Sequence, residues 1–111
     1  MKTSSAKAKG RALQNYVRDK LRTLWVKAFG LEDDDITSRQ MGGSGTDIVL
    51  TPRAKHFIPY DIECKAHESL NVWKAWEQAK QNTASGRKTL LVIKRNRSSV
   101  LAVVELDEIL K

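Results

Sequence analysis

The segments 59-PYDIECKA-66 and 45-GTDIVL-50 decide the fold, because both have the pattern of buried strands and yet both carry charged residues. Side chains alternate between the two faces of a strand. Glu63 and Lys65 therefore share one face, together with Asp61, while Ile62 and Cys64 point to the other face with residue 66. That second face is apolar and predicts contact with the core. The first face needs a chemical reason for its charges.

The remaining pattern places these two strands within an alternation of helices and strands. Apolar residues at helical spacing predict helices over 10–29 and 71–84, with a short terminal helix at 107–110. Strands are predicted at 36–40, 46–50, 60–66, 89–94 and 100–106, with loops at 42–45, 53–58 and 95–99. The order is helix, three strands, helix, two strands. It predicts an α/β fold with a central mixed sheet flanked by helices.

Two further expectations concern the first helix and its ends. Its apolar stripe is predicted to comprise Leu13, Val17, Leu21, Leu24 and Ala28. The basic segment 1–9 is predicted to be a flexible tail, and the single domain is predicted to span 10–111. The acidic run 32-EDDD-35, which follows the helix, is predicted to be an exposed, solvated loop.

Composition narrows the class of partner. The chain has 111 residues, a net charge of +7 and an isoelectric point near 9.8, which favour a polyanionic partner, either nucleic acid or an anionic membrane surface. A single cysteine, Cys64, excludes an internal disulfide and fits a reducing cytoplasm. No apolar run approaches the about 20 residues that span a bilayer. We therefore expect a cytoplasmic protein, in the host cytoplasm if it is phage-encoded, with no membrane partner.

The charged strand residues form a set with a known chemical use. If the strands containing Asp47 and Glu63 pair as a hairpin, the two carboxylates can approach each other. Hard oxygen ligands suit Mg²⁺, or Mn²⁺ as a substitute. A bound cation activates water, and Lys65 can steady charge on a phosphoryl group. The alternative is an ordinary solvated Glu–Lys pair on a strand face. The position of Asp47 after a glycine-rich loop favours the first interpretation.

With Asp47 on one strand and Glu63-Cys64-Lys65 on the next, the segments 42-GGSGTDIVL-50 and 61-DIECKA-66 resemble the PD-(D/E)XK nuclease superfamily. The resemblance covers about residues 10–104 and is greatest to small archaeal-type Holliday-junction resolvases and related phage nucleases. It implies Mg²⁺-dependent DNA cleavage, with Asp47, Glu63 and the backbone carbonyl of Cys64 as metal ligands and Lys65 as the catalytic lysine. Thr46 stands where the family name has proline.

Residues of the two long predicted helices can be compared with functional residues of this family. Many members carry a glutamate on the first helix that reaches the metal, and this first helix has none. Gln14 and Asp19 are the nearest substitutes, so the number of metal ions stays open. On the second helix, Gln78 matches a glutamine that faces the site in several branches of the family. It is predicted as a catalytic residue, with a plain surface amide as the alternative.

Several other residues are candidates for contact with DNA. The predicted phosphate-binding residues are Ser44, Arg39, Lys88, Lys94, Arg95 and Arg97. Lys88, Lys94, Arg95 and Arg97 are expected to cluster near one strand end. The alternative for each is a turn residue or a solvated charge. Trp73 and Trp76 are interpreted as core or dimer-face residues rather than as base-stacking platforms.

These observations predict a Mg²⁺-dependent endodeoxyribonuclease that acts as a homodimer, since two symmetric sites can cut two strands of a branched substrate. Within this class, a Holliday-junction resolvase is the first expectation. A structure-specific nickase, or a phage DNA-processing nuclease acting on ends or duplex, is the alternative. There are two rival classes. One is a non-catalytic nucleic-acid-binding module with the same fold. The other is a structural protein that binds a partner through the helix predicted at 71–84, which carries Trp73 and Trp76.

Overall fold

The computed structural model describes residues 3–40 and 45–110. Its helices are α1 (Thr3–Phe29), α2 (Pro52–Phe57), α3 (Val72–Gln81) and α4 (Leu106–Ile109), with a short 3-10 helix at Asp33–Asp35. Its strands are β1 (Ile36–Ser38), β2 (Ile48–Leu50), β3 (Tyr60–Ala66), β4 (Lys88–Lys94) and β5 (Leu101–Val103). The predicted α/β class and the order of the predicted elements are confirmed, with one additional helix, α2, between the second and third strands.

The strands form two hydrogen-bonded groups rather than one continuous central sheet. β3 pairs in parallel with β4, which pairs antiparallel with β5, and β1 and β2 form a separate antiparallel pair. The expected hairpin between the second and third strands is wrong, because α2 separates them. The two groups are joined where the Asp47 amide donates to the carbonyl of Ile62 at 3.1 Å. The β1–β2 pair therefore lies against the free edge of β3.

Helices cover both faces of the three-stranded sheet. Leu13, Val17 and Leu21 of α1 belong to the same core cluster as Ile62 and Val92. Ala75 and Ala79 of α3 pack with Leu91 in a second cluster. Because side chains alternate along a strand, the face of β3 that carries residues 61, 63 and 65 lies on the α3 side.

The apolar stripe of α1 departs from the prediction in its last two turns. Leu24 and Ala28 are exposed, and Trp25 and Val26 pack against the core instead. Trp25 follows Leu21 by four residues, so the buried row keeps the four-residue step that runs through Leu13 and Val17. The prediction of the apolar stripe is therefore correct for its first three residues only.

The predicted tail and several predicted boundaries are also corrected. α1 begins at Thr3, so residues 3–9 are helical, as expected for a segment rich in the strong helix formers alanine and lysine. β5 has three residues rather than seven, and Leu101 and Ala102 are exposed on it. Within residues 3–40 and 45–110, no helix combines the length and the apolar character that a bilayer crossing requires.

The acidic run after α1 is only partly the exposed loop that was predicted. Asp35 is buried, and its carboxylate accepts hydrogen bonds from the Glu32 amide at 2.9 Å and from the Thr51 hydroxyl. These two bonds, with the charge of Arg53, lower the pKa of Asp35. Thr51 also accepts from the Ala54 amide and thereby caps α2. Asp35 therefore fixes the start of α2 and does not serve as a solvated charge.

Candidate active site

Asp47 lies immediately before β2, beside the free edge of β3. Its backbone amide donates to Ile62, and its carboxylate Oδ2 accepts the backbone N–H of Cys64 at 2.7 Å. An edge strand leaves such amides without a ladder partner, and the Asp47 carboxylate supplies one. This pair of bonds carries the Asp47 carboxylate to the middle of β3.

Glu63 projects from the middle of β3 and is only 6% exposed. Its Oε1 accepts from Asn82 Nδ2 at 3.1 Å, and its carboxyl group lies close enough to that of Asp47 for the two to interact electrostatically. Burial, and then the charge and hydrogen bond of Asp47, raise the pKa of Glu63 to about 7. Asn82 and Lys65 oppose this rise. The predicted approach of Asp47 to Glu63 is therefore present, although no hairpin produces it.

Lys65 and Cys64 complete the central segment of β3. Lys65 lies on the Glu63 face, and its charge favours the ionised form of Glu63. Within the described residues, no carboxylate forms an ion pair with the Lys65 ammonium group. The Cys64 side chain packs toward α1, and burial, with the charges of Asp47 and Glu63, raises the pKa of its thiol. The thiol is thus held in its neutral form.

The geometry of β3 bears on whether these residues fit a metal ion. The N–H and C=O of one strand residue point to the same side, so the Cys64 carbonyl faces the edge at which its N–H meets Asp47. Two carboxylates and one carbonyl are hard oxygen donors that suit Mg²⁺ or Mn²⁺. In the part of the chain described, no group of three His, Cys, Asp or Glu side chains gathers at one point. The donors fit a cation held by two carboxylates, with other ligands from the backbone and solvent.

Asp61 lies on the same face of β3 as Glu63, but it forms an ion pair with Arg87. Its carboxylate accepts from Arg87 Nε at 2.9 Å and from the Ala84 amide at 2.9 Å. Arg87 also donates to the carbonyls of Tyr60 and Lys55. This partly buried ion pair connects the loop after α3 to the start of β3 and to the end of α2. It holds the strand that carries the site, and the sequence pattern alone did not reveal it.

The structure favours a different amide from the one predicted on α3. Gln78 is exposed, and among the described residues its side chain has no hydrogen-bond partner, whereas Asn82 donates directly to Glu63. Asn82 follows Gln78 by four residues, so the two lie on the same helix face. On α1, Gln14 is buried, while Asp19 is exposed and ion-paired with Arg18. The ion pair directs the Asp19 carboxylate to its own helix neighbour.

Two predicted DNA contacts concern the glycine-rich loop, and Ser44 lies outside the described residues. Arg39 is half-buried, and its Nε donates to the carbonyl of Thr46 at 2.6 Å. Its backbone amide donates to the carbonyl of Asp47 at 2.8 Å. Gly45 has φ +98°, and a Cβ built there would lie 2.9 Å from the Arg39 guanidinium. Arg39 therefore braces the chain that leads into Asp47.

The predicted basic cluster at one strand end divides into two groups. Lys88 begins β4 and Lys94 ends it, so the strand separates them by about 20 Å. Lys88 is ion-paired with Glu108 of α4, and its inclusion in the cluster is wrong. Lys94 donates to carbonyls of the following turn, where Arg95 and Arg97 are exposed. These three cations lie beside the carboxyl end of β3, where Ala66 is the register partner of Lys94.

The two tryptophans of α3 differ in environment. Trp76 packs against the second core cluster, as predicted, whereas Trp73 is 80% exposed. Exposed apolar residues also occur in β5, in α4 and directly after α4, namely Leu101, Leu106, Ile109 and Leu110.

Comparisons of the chain with family models, curated proteins and solved structures gave no match. The resemblance to the PD-(D/E)XK nucleases therefore remains a prediction that rests on the residues described above.

Proposed function

We propose that the protein is a metal-dependent endodeoxyribonuclease with a restriction-endonuclease-like core. The observation that carries the proposal is the approach of the Asp47 carboxylate to Glu63 across the free edge of β3, with Lys65 two residues further on the same face. The raised pKa of Glu63 supports it, because two carboxylates held together in a buried place are stabilised by a cation. The net charge of +7 supports a polyanionic substrate.

Each residue of the site has a defined part in this proposal. Asp47, Glu63 and the carbonyl of Cys64 would hold Mg²⁺, which supplies charge neutralisation and an acidified water when bound. Lys65 would donate to a phosphate oxygen and stabilise the negative charge that develops there. Asn82 orients the Glu63 carboxylate through the bond to Oε1. Gln78, one helical turn earlier and exposed, would contact the substrate strand.

For the substrate, we propose branched DNA, with a Holliday junction as the first choice and a homodimer as the active species. Two symmetric sites allow paired cuts in two strands. The exposed apolar residues of β5 and α4 support self-association, because exposed apolar patches mark interaction surfaces. A nickase, or a phage nuclease acting on ends or duplex, would use the same site on a DNA substrate whose strands are arranged differently.

A second candidate function is a nucleic-acid-binding module without catalysis. The observation that favours it is the small number of acidic groups at the site. Two carboxylates gather there, and α1 brings no further acid, since Asp19 is paired with Arg18. Such a module would bind DNA with the same salt dependence and would cut nothing.

A cleavage assay tests the proposal on labelled four-way junction, nicked, flapped and linear duplex DNA, with Mg²⁺, Mn²⁺ or EDTA. Removing one charge-stabilising donor costs about 10²–10³-fold in rate, so we expect this loss in Lys65→Ala and a comparable or larger loss in Glu63→Gln. Lys27→Ala, which removes an exposed lysine near the end of α1, on the opposite side of the sheet from Glu63, is the matched control and should cut as wild type does.

The substrate that is cut fastest would identify the role of the protein among the metal-dependent endodeoxyribonucleases. If wild type binds DNA in a salt-dependent manner but cuts none of the four substrates with either metal, the nuclease proposal fails and the binding module takes its place. Absence of both cutting and salt-dependent binding would favour the structural class.

A further inference from the structure

A cavity of about 570 Å³ lies on the side of the sheet opposite to Glu63. The N-terminal half of α1 forms one wall, and the turn after β4 forms the other. Its volume is within the range of about 300–1,000 Å³ that is usual for small-molecule sites. The predicted function makes no use of it, since the carboxylates project from the other face of β3.

The lining of this cavity combines an apolar floor with a basic rim. Leu13, Ala66 and Val100 contribute apolar surface, and Lys9 and Arg95 contribute positive charge. Lys94 also lines the cavity, where its ammonium group holds the carbonyls of the turn. Glu68 is the one carboxylate among the lining residues, and it accepts the Asn96 amide of the same turn. The cavity is therefore electropositive at the rim, which suits an anion with an apolar body.

An aromatic side chain lies in the wall of this cavity. Tyr16 is 46% exposed although it belongs to a helix that packs on the core. The ammonium group of Lys20 lies 5.5 Å from the centroid of the Tyr16 ring. Lys20 follows Tyr16 by one helical turn and does not line the cavity, whereas Lys9 and Leu13 precede Tyr16 and do line it. An exposed ring in a basic environment can serve as a stacking platform for a nucleobase.

The cavity and the candidate active site meet at one edge of the sheet. Lys65 is the register partner of Ile93, and the next pair, Ala66 and Lys94, ends both strands. The turn that begins at Arg95 therefore separates the carboxylate face from the cavity. A DNA strand that passes Glu63 toward the end of β3 reaches the cavity after about 10 Å, the length of three strand residues.

From this arrangement, we propose that the cavity binds one unpaired nucleotide of a DNA strand, with its base stacked on Tyr16 and its phosphates at Lys9 and Arg95. This inference rests on the proposed function for its choice of DNA and deepens it. Among branched substrates, it favours those with a single-stranded segment beside the cleaved duplex, such as flapped DNA, over the fully paired four-way junction. The face of the sheet opposite to the carboxylates thus becomes part of the substrate site.

The test measures binding in EDTA, where no cleavage takes place, by fluorescence anisotropy at one salt concentration. The probes are a labelled duplex with a short single-stranded overhang, the same duplex with an abasic overhang, and the blunt duplex. Stacking of a base on an aromatic side chain is worth enough that Tyr16→Ala should weaken overhang binding about 5-fold or more. Tyr16→Phe should retain the affinity, because it retains the ring.

Charge variants test the same cavity without changing the N-terminal half of α1, which forms its wall. Arg95→Gln, on an exposed turn, should weaken binding of the overhang probe more than Lys27→Gln, which removes an exposed lysine outside the cavity. Melting temperatures of all variants identify any that lose their fold. Equal affinity of wild type for the base-containing and abasic overhangs would overturn the proposal.

The outcomes separate this inference from the nuclease proposal. Discrimination against the abasic overhang, with no cleavage of any DNA under Mg²⁺, would support the cavity and refute the nuclease. Cleavage without discrimination would support the nuclease and refute the cavity. Binding to anionic phospholipid vesicles that Tyr16→Ala abolishes, without a preference for unpaired bases, would replace the nucleotide by a lipid headgroup and refute the inference.

Discussion

The Glu63 carboxyl group should make the stability of the protein fall as pH rises through neutrality. Its pKa lies at about 7 in the folded chain against an ordinary value of 4.5. Because the pKa of Glu63 is higher in the folded chain, the contribution of this group to stability is fully present below about pH 4.5. That contribution is lost as pH rises through the folded pKa. The difference corresponds to at most about 3 kcal/mol at pH 8 in the absence of a cation. Glu63→Gln, which keeps an oxygen for Asn82 to donate to, should remove this loss.

The assay is urea unfolding in EDTA across this pH range, on wild type and Glu63→Gln. We expect the two free energies of unfolding to agree near pH 4.5 and the variant to be more stable by about 2–3 kcal/mol near pH 8. Glu77→Gln, which changes an exposed glutamate of α3, is the matched control and should follow wild type at each pH. A constant difference between wild type and Glu63→Gln at all pH values would refute the raised pKa.

Addition of Mg²⁺ extends the same experiment to the metal site. A ligand at 100 times its dissociation constant adds about 2.7 kcal/mol to the stability of the folded state. Mg²⁺ should therefore restore the stability of wild type near pH 8 and leave Glu63→Gln nearly unchanged. Equal stabilisation of both proteins by Mg²⁺ would show that the ion binds elsewhere and would refute the assigned ligands.

Three further predictions follow from contacts outside the carboxylate pair. Asp61→Asn should lower the free energy of unfolding by about 3 kcal/mol, because it leaves the partly buried Arg87 without its counter-charge; a loss below 1 kcal/mol in urea unfolding would contradict this. Thr51→Ala should cost about 1–2 kcal/mol through loss of the α2 cap, while Thr51→Ser should restore most of it in the same measurement. Gly45→Ala should lower the melting temperature, since φ is +98° and the new Cβ meets Arg39; an unchanged melting temperature would show that the loop adjusts freely.

The strand that carries the site was predictable because its pattern is local. β3 has the predicted bounds, since alternation over 60–66 separates charged from apolar residues without reference to the rest of the chain. α2 was missed because six residues are too few for helical periodicity. The signal that could have found it is Thr51 followed by Pro52, a capping residue before a proline at the first helical position.

Contacts between distant segments could not be predicted from local sequence patterns. The burial of Asp35 depends on Thr51, sixteen residues later, and nothing in an acidic run distinguishes the residue that will find a partner. Lys88 was grouped with Lys94 because the two flank one strand, although the strand itself holds them apart. Gln78 is predicted from its match to a glutamine of the nuclease family, whereas the contact of Asn82 with Glu63 depends on where α3 ends relative to β3, which the sequence pattern does not show.

The hydrogen bonds around the two carboxylates have a consequence for how a cation would be held. Asp47 Oδ2 is bound to the Cys64 amide, and Glu63 Oε1 is bound to Asn82, so each group keeps one oxygen that no amide occupies. These two oxygens and the Cys64 carbonyl would be the donors that the protein offers to a cation. Mg²⁺ usually keeps several of its waters when it binds to a protein. A site with so few protein donors would let one of those waters exchange for a phosphate oxygen without releasing a protein ligand.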